Sequence, residues 1–384
     1  MADTASDPLL SLVICTLDEP DAIGAVLREV ARVLAPVHYE VLVVDDSADD
    51  RTAAIVRAHA AADGRVRLLR RTSERGLASA AIAGFSAARG EILGLMDGDG
   101  QHEADRLPQL LAVMREGADF AVASRYVRAG GSGLAGWRDA LSRAGTGLTR
   151  ACLGAPTSDP LSGFFLFRKG WFDAARPKLS GVGFKILIDL LASGERRPRV
   201  SEVATALRAR TAGQSKLDLR VTLELGALLV EKRSAGLIPA RFVLFGAVGG
   251  TGVVVHMAAL AVLGTGGLSA FWAAQALAIA TAMAWNFHLN NALTFRDLRL
   301  TGRARWRGLA AFCLGCAGGA ALNELTASGL HALGLSWALA GLAGTVLGAV
   351  WNYQRAGQAT WGAKPAPQLA IAQQPQAAAL VRQG

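Results

Sequence analysis

The stretch Ile92-Leu93-Gly94-Leu95-Met96-Asp97-Gly98-Asp99-Gly100-Gln101-His102 decides the fold. An apolar run with the length of a buried strand ends abruptly in two carboxylates separated by one glycine. In extended backbone, side chains at i and i+2 point the same way, so Asp97 and Asp99 are predicted to reach one hard cation. Gly98 permits a tight turn between them and the close approach of a ligand. With the Gln101 amide they make an open, oxygen-rich donor set suited to Mg²⁺ or Mn²⁺ completed by substrate phosphates. Taken alone, the six residues 97–102 are equally compatible with a polar Asp-Gly turn closing a hairpin. An EF-hand start fits less well, because Gln101 and His102 replace an acid and the required glycine, and Pro108 stands where the bidentate Glu belongs.

Working outward, short apolar runs at Leu9–Cys15, Tyr39–Val44, Val66–Leu69, Ala118–Ser124, Phe164–Arg168 and Val200–Leu207 read as further strands. Helical patterns fall at about Pro20–Leu34, Asp50–Ala61, Gly76–Ala88 and Phe184–Ala192. Strand and helix alternating through two-to-six-residue links imply an α/β domain with a doubly wound parallel sheet. Such sheets bind ligands beyond the carboxyl ends of their strands. Three strand ends there are polar: Thr16-Leu17-Asp18-Glu19, Asp45-Asp46 and Asp97–Gln101. Their convergence on one edge favours a metal–nucleotide site over solvated loops.

Basic residues follow further along. A helix after the glycine-rich Val127–Gly136 stretch carries Arg138 and Ser142 one turn apart on one face. Arg208, Arg210 and Lys216 surround Gly213-Gln214-Ser215, a flexible basic loop that suits clamping phosphates or, in the plainer reading, is a solvated loop near anionic lipid.

The chain has 384 residues, 52% of them hydrophobic, and a positive mean hydropathy, which predicts a soluble domain plus membrane spans. Of the net charge of +9, residues from Arg241 onward supply +7, so the first 240 carry only +2. That distribution argues against nucleic acid as a partner. Four apolar stretches near or above spanning length lie at about Phe242–Val262, Leu268–Leu289, Gly308–Leu330 and Leu333–Trp351. Gly246/Gly250 and Gly344/Gly348 suit close helix packing in lipid. Between the second and third stretches lie Arg296, Arg299, Arg303, Arg305 and Arg307, whereas the other two connections are uncharged. Positive-inside reasoning puts that loop, and with four spans both termini, in the cytoplasm. The N-terminus lacks a basic n-region, so no cleaved signal is expected. Cys15, Cys152, Cys313 and Cys316 suggest no disulfide framework. Leu217–Val230 reads as an interfacial amphipathic helix or a core helix of the soluble domain.

Together these stretches resemble the family-2, GT-A-fold polyprenyl-phosphate glycosyltransferases, nearest the dolichyl-phosphate mannose synthases that carry a membrane module. The matching stretches are Val44-Asp45-Asp46-Ser47, Arg75-Gly76-Leu77, Met96–His102, Ser124-Arg125-Tyr126, Asp159–Phe164, Gly183–Leu187 and Gly213–Leu217. Arg241–Asn352, with Trp285-Asn286-Phe287 and Leu293-Thr294-Phe295, is similar to the GtrA-like four-helix module. The family's opening Pro-Thr-Tyr-Asn-Glu reads Cys15-Thr16-Leu17-Asp18-Glu19 here, and the acid after Gly-Phe-Lys is Asp189.

The resemblance implies a GT-A domain over residues 1–216, an interface helix or linker over 217–239 and a four-helix membrane domain over 240–357, and the Ala/Gln/Pro-rich end predicts a disordered tail over 358–384. The resemblance also implies that Asp97, Asp99 and Gln101 hold Mg²⁺ or Mn²⁺. Cys15, Leu17, Glu19, Val44, Asp46 and Gly98 would line the nucleotide sugar, with Arg210 and Lys216 closing over it. Arg125, Arg138 and Ser142 would hold the lipid phosphate, and Asp99, Arg125 and Arg210 would be catalytic. The expected reaction is inverting, metal-dependent transfer of a hexose, first of all mannose from GDP-mannose, to a polyprenyl phosphate such as dolichyl or undecaprenyl phosphate at the cytoplasmic face of the inner membrane. The membrane module also offers a surface for oligomerisation.

The chemistry agrees with elementary acid–base behaviour. A phosphate monoester has its second pKa near 6, so at neutral pH it is a nucleophile that needs positioning rather than a general base. Three alternatives stay open: another donor such as UDP-glucose on the same lipid, a lipid-sugar flippase with a regulatory soluble domain, and a soluble-acceptor or processive transferase. Processive members usually carry Gln-x-x-Arg-Trp, which does not occur here.

Overall fold

The computed structural model describes residues 8–72, 75–127, 136–208, 219–265 and 271–362, without the side chains of 136–142, 219, 264–265, 271–272, 337 and 356. It divides into two compact units, Met1–Leu300 and Thr301–Gly384.

The first unit is built on strands β1 (Leu10–Thr16), β2 (Tyr39–Asp45), β3 (Val66–Arg70), β4 (Ile92–Asp97), β5 (Phe120–Ser124), β6 (Phe164–Arg168) and β7 (Val200–Ala204). They form one sheet in the order β3-β2-β1-β4-β6-β5-β7. Every residue of β1 and β2 is buried, Ser11 and Glu40 included, as in strands covered on both faces. On one face, α1 (Pro20–Val33) and α2 (Arg51–Ala62) pack with α4 (Leu107–Arg115) around Ile23, Leu27, Val56 and Leu110. On the other, α3 (Leu77–Ala87), α6 (Lys169–Ala175) and α7 (Ile186–Ser193) meet the sheet through Phe85, Trp171, Phe172 and Leu190. The alternating pattern anticipated most of these elements but not α4 or α6, which are short and lie close to neighbouring strands.

The sheet is mixed, not parallel. β1, β2, β3 and β4 run parallel, as do β5 and β7, but β6 pairs antiparallel with β4 and with β5. After α5 (Gly136–Leu153) the chain stays at the carboxyl edge through Asp159–Gly163, so the next strand starts at that edge and must run back. β6 is held there by its phenylalanines: Phe167 stacks on Phe120 at 5.4 Å and meets Phe85 edge-on at 5.0 Å. Each such pair contributes roughly 0.5–1.5 kcal/mol beyond area burial.

α8 (Leu219–Arg233) buries Leu225, Leu228 and Leu229 against Ile188, Leu153 and Leu161, the packing of a core helix. Its Ala227 also packs with Ala240 and Leu244 of α9 (Ala240–Thr265). α9 packs on α10 (Phe271–Ala292). The second unit contains α11 (Gly302–Ala332), α12 (Trp337–Trp351) and α13 (Gly357–Trp361), the last two joined through a π-helical turn at Asn352–Ala356. Within the described residues the four apolar stretches are therefore helical over most of their length. α9 (over Ala240–Leu263) and α11 are long and apolar enough to cross a bilayer by length and composition.

The two glycine pairs fare differently. A Cβ at Gly344 would stand 2.4 Å from Asn323 and one at Gly348 2.9 Å from the Gly319 carbonyl, so that pair does let α11 and α12 approach closely. Gly246 and Gly250 face open space, and the close approach of α9 to α10 is instead at Gly252, where a Cβ would meet Asn286 at 2.3 Å.

Candidate active site

Because β1, β2 and β4 are parallel neighbours, Thr16, Asp45 and Asp97 end at one edge. The polar strand ends therefore converge, but they do different jobs. Asp45 is wholly buried and holds the edge together, accepting from the Thr16 hydroxyl at 3.0 Å and the Ser47 hydroxyl at 2.5 Å. Asp46 takes a two-pronged ion pair from Arg71, at 2.7 and 2.6 Å, and the Gly76 amide at 2.9 Å. Asp46 thus fixes the turn into α3 at the rim of the site. Cys15 is buried beneath it, and burial, with Asp97 and Asp46 adding, pushes its thiol far up, so it acts as a neutral wall. Asp18 stands at φ +58° beside Glu19, the residue that precedes α1.

β4 ends at Asp97, and Asp99 lies in the following turn rather than in extended backbone. The strand periodicity therefore does not place Asp99; the turn does. Its Oδ1 accepts from the Gln101 amide at 3.0 Å, and Gly100 at φ +75° reverses the chain. Gly98 must be glycine, since a Cβ there would stand 2.7 Å from Thr16 and 3.2 Å from the Cys15 carbonyl. Asp97 packs on Gly163, whose added Cβ would lie 2.2 Å from Oδ2, and that oxygen is 3.4 Å from His102 Nε2.

Gln101 donates through its side chain to the Arg208 carbonyl at 3.1 Å and accepts from the Arg208 amide at 2.9 Å. The acidic turn is thereby clipped to the segment after β7. The Arg208 guanidinium itself points away, onto Glu29 of α1 at 2.8 and 3.0 Å. Among the described residues no three His, Cys, Asp or Glu side chains converge on one point. Asp97, Asp99 and the Gln101 amide fit a hard cation that takes one or two carboxylates and completes its shell with substrate phosphates, not a closed protein cage.

Arg125, at the end of β5, forms a fork-to-fork pair with Asp159: Nε to Oδ2 at 2.7 Å and Nη2 to Oδ1 at 2.8 Å. Nothing in the sequence announced this partner, which lies 34 residues on. Lys185, just before α7, is a second group the motif reading left without a role. It lies within electrostatic reach of Arg125, Asp97, Asp159 and Glu224; burial, reinforced by the Arg125 charge, lowers its ammonium pKa, and the three carboxylates oppose that. Asp189 is inside the domain, paired with Lys232 at 2.5 Å and tying α7 to α8. Its carboxyl is pushed up by burial.

Leu17 directly follows β1, and Val44, wholly buried, lies one residue before the end of β2. Arg210 and Lys216 lie outside the described residues, as do the side chains of Arg138 and Ser142, whose backbone is in α5.

Residues 11–175 match the family described as glycosyl transferase family 2, and residues 244–361 match the GtrA/DPMS transmembrane domain. A dolichol-phosphate mannosyltransferase of Pyrococcus furiosus is 31% identical over 358 residues, covering 92% of this chain and 99% of its own length. The enzyme of the same name from Saccharomyces cerevisiae is 37% identical over 194 residues, covering 48% of this chain and 71% of its own. A polyprenol monophosphomannose synthase of Mycolicibacterium smegmatis is 36% identical over 163 residues, covering 41% and 61%. Among solved structures, glucosyl-3-phosphoglycerate synthase from Mycobacterium tuberculosis in complex with UDP is similar at 18% identity and a TM-score of 0.45, covering 59% of this chain and 80% of that one.

Proposed function

This chain belongs to the family-2 polyprenyl-phosphate glycosyltransferases that carry a GtrA/DPMS transmembrane domain, and from that premise we propose that it transfers mannose from GDP-mannose to the phosphate of a polyprenyl lipid, with inversion, at the cytoplasmic face of the membrane. The observation that carries the reading is the Asp97–Asp99 turn at the carboxyl edge of the sheet, in a chain whose apolar helices follow the same domain. The full-length similarity to the Pyrococcus furiosus mannosyltransferase supports the choice of sugar and of lipid.

In this mechanism Asp97, Asp99 and Gln101 hold Mg²⁺ or Mn²⁺. Held there, such an ion would supply neutralisation of the charge developing on the leaving nucleoside diphosphate. Cys15, Leu17, Glu19, Val44, Asp46 and Gly98 form the floor and wall for the nucleotide, with Arg210 and Lys216 closing over it. The acceptor phosphate is already largely dianionic at neutral pH and attacks the anomeric carbon directly, so no residue has to remove a proton. Arg125, Arg138 and Ser142 orient that phosphate. The Asp159 pair fixes the plane of the Arg125 guanidinium, so little side-chain entropy remains to be lost when phosphate arrives. Residues 240–357 form four spans with both termini and the Arg296–Arg307 loop in the cytoplasm.

The test is to offer membranes containing the protein a panel of labelled sugar nucleotides and score organic-extractable label. Label from GDP-mannose that requires added polyprenyl phosphate supports the reading. Label from a UDP-sugar alone would replace the donor, and no extractable label from any donor would end the proposal.

A further inference from the structure

A second group of charged side chains lies away from Asp97, where α8 meets the turn that follows α10. Arg220 and Glu224, one helical turn apart on α8, form an ion pair at 3.0 Å with side chains only 18% and 10% exposed. The Arg220 guanidinium lies 5.1 Å over the Phe184 ring. Glu224 packs against Gly183, and its Oε2 is buried without a hydrogen-bond partner. Arg296 belongs to the 3-10 turn Arg296–Leu298, which is anchored by an ion pair between Asp297 and Arg241 at 2.5 Å. Arg296 is partly buried, and among the described residues its guanidinium makes no hydrogen bond.

The charge balance of this cluster does not close. Arg296 lies within reach of Arg220, Arg75 and Arg299, against the single carboxylate of Glu224. Burial lowers the pKa of Arg296, Arg220 adds to that, and Glu224 only partly compensates. Glu224 in turn is raised by burial even though Arg220, Arg296 and Lys185 favour its charged form. Partly buried cations are normally paired, and confining several around one carboxylate costs free energy unless an anion joins them. Arginine forks with a planar, pre-set geometry match the oxygens of a phosphate.

We propose that Arg220 and Arg296, with Arg75 at the rim, form an anion site that takes the phosphate monoester of the membrane-borne acceptor before that phosphate reaches the Asp97 turn. The site lies between the catalytic domain and a turn leading out of an apolar helix, so its ligand is a phosphate carried by a lipid chain. This rests on the reading of the acceptor as a polyprenyl phosphate. It adds a docking station separate from Arg125, Arg138 and Ser142. A phospholipid headgroup shares the same chemistry and is the other source to be told apart.

The test uses the full-length protein in detergent with EDTA and no sugar nucleotide, titrated with farnesyl phosphate. Wild type should bind, and Arg296→Gln should weaken binding on the order of tenfold or more. Arg75→Gln, at an exposed position that cannot unfold the domain, should weaken it a few-fold. Arg296→Lys should fall between Arg296→Gln and wild type. GDP binding in the presence of Mn²⁺ should be unchanged in every variant, which separates this cluster from the donor site. Unchanged farnesyl phosphate affinity in both Arg296→Gln and Arg75→Gln overturns the proposal. So does equal competition by short-chain phosphatidylglycerol, which would make the site one for headgroups, or by inorganic phosphate, which would make the lipid irrelevant. If wild type transfers mannose to lipid while these affinities stay unchanged, only the docking site falls; if no label reaches lipid, the functional reading itself falls.

Discussion

Arg125 and Asp159 close on one another through two parallel hydrogen bonds of 2.7 and 2.8 Å, with side chains 11% and 0% exposed. The pair joins the end of β5 to the turn that launches β6, and the Arg125 amide adds a third bond to the same carboxylate at 3.2 Å.

Removing one partner leaves the other charge buried and unpaired, which costs about 3–5 kcal/mol. Asp159→Asn should therefore lower the melting temperature of the purified protein sharply. Combining it with Arg125→Gln should cost less than the two single losses added together. Strict additivity in a double-mutant cycle would show that the two residues act separately.

Gly163 is the floor under Asp97, with 2.2 Å between an added Cβ and Oδ2. Gly163→Ala must push the carboxylate aside. A displacement near 1 Å at a reacting centre costs roughly a hundredfold in rate, so transfer should fall by about that factor while circular dichroism stays native. Wild-type turnover in this variant would mean that the position of Asp97 does not limit the reaction.

Asp99→Asn removes a charge and almost no volume. Transfer should drop below detection, and chelation with EDTA should have the same effect on wild type, reversed by Mg²⁺ or Mn²⁺. Full turnover in EDTA would remove the metal from the mechanism.

Glu40 lies at the other end of β1 and β2, accepting from Ser11 at 2.6 Å and the Arg89 amide at 2.8 Å, with Arg67 at 2.8 Å. Burial pushes its carboxyl up, but the Ser11 hydroxyl and the Arg89 and Arg67 donors outweigh burial and hold it at about 2. A carboxyl depressed in the folded state stabilises the fold above its unfolded pKa and loses that stabilisation as pH falls toward the folded value. The contribution should therefore be full above about pH 4.5, an ordinary value for a free Glu side chain, and vanish toward pH 2. Glu40→Gln should lower the melting temperature at pH 7, and the gap to wild type should narrow as pH drops from 5 to 3. A gap that is constant over that range would mean the Glu40 charge is not the source.

The proposed topology puts both termini inside, so Thr301→Cys in a chain whose four natural cysteines are replaced by Ala should resist an impermeant thiol reagent added to intact cells. The same position should react in inverted vesicles. Labelling from outside would invert the topology.

Much of this molecule was legible along the chain. Mostly apolar runs such as Leu10–Thr16 are buried along their whole length, and residues next to each other in sequence share those environments, so composition and length identified the strands and apolar helices. The Asp97–His102 cluster stood out for the same reason, because six consecutive residues carry its chemistry, although the turn and not strand periodicity places Asp99. What the sequence could not determine depends on pairings between distant residues. The antiparallel insertion of β6 follows from which edge the chain occupies after α5, and that is set by sheet packing rather than by any local pattern. Asp46 was read as lining the nucleotide, but no local pattern told of its two-pronged ion pair with Arg71, 25 residues on. Arg125 found Asp159, and Arg296, read from sequence as one of five topogenic arginines, came within electrostatic reach of Arg220, 76 positions earlier in the chain. Propensity and periodicity report on neighbours a few residues away, whereas charge pairing acts through space and is decided only when packing fixes which side chains share a desolvated site.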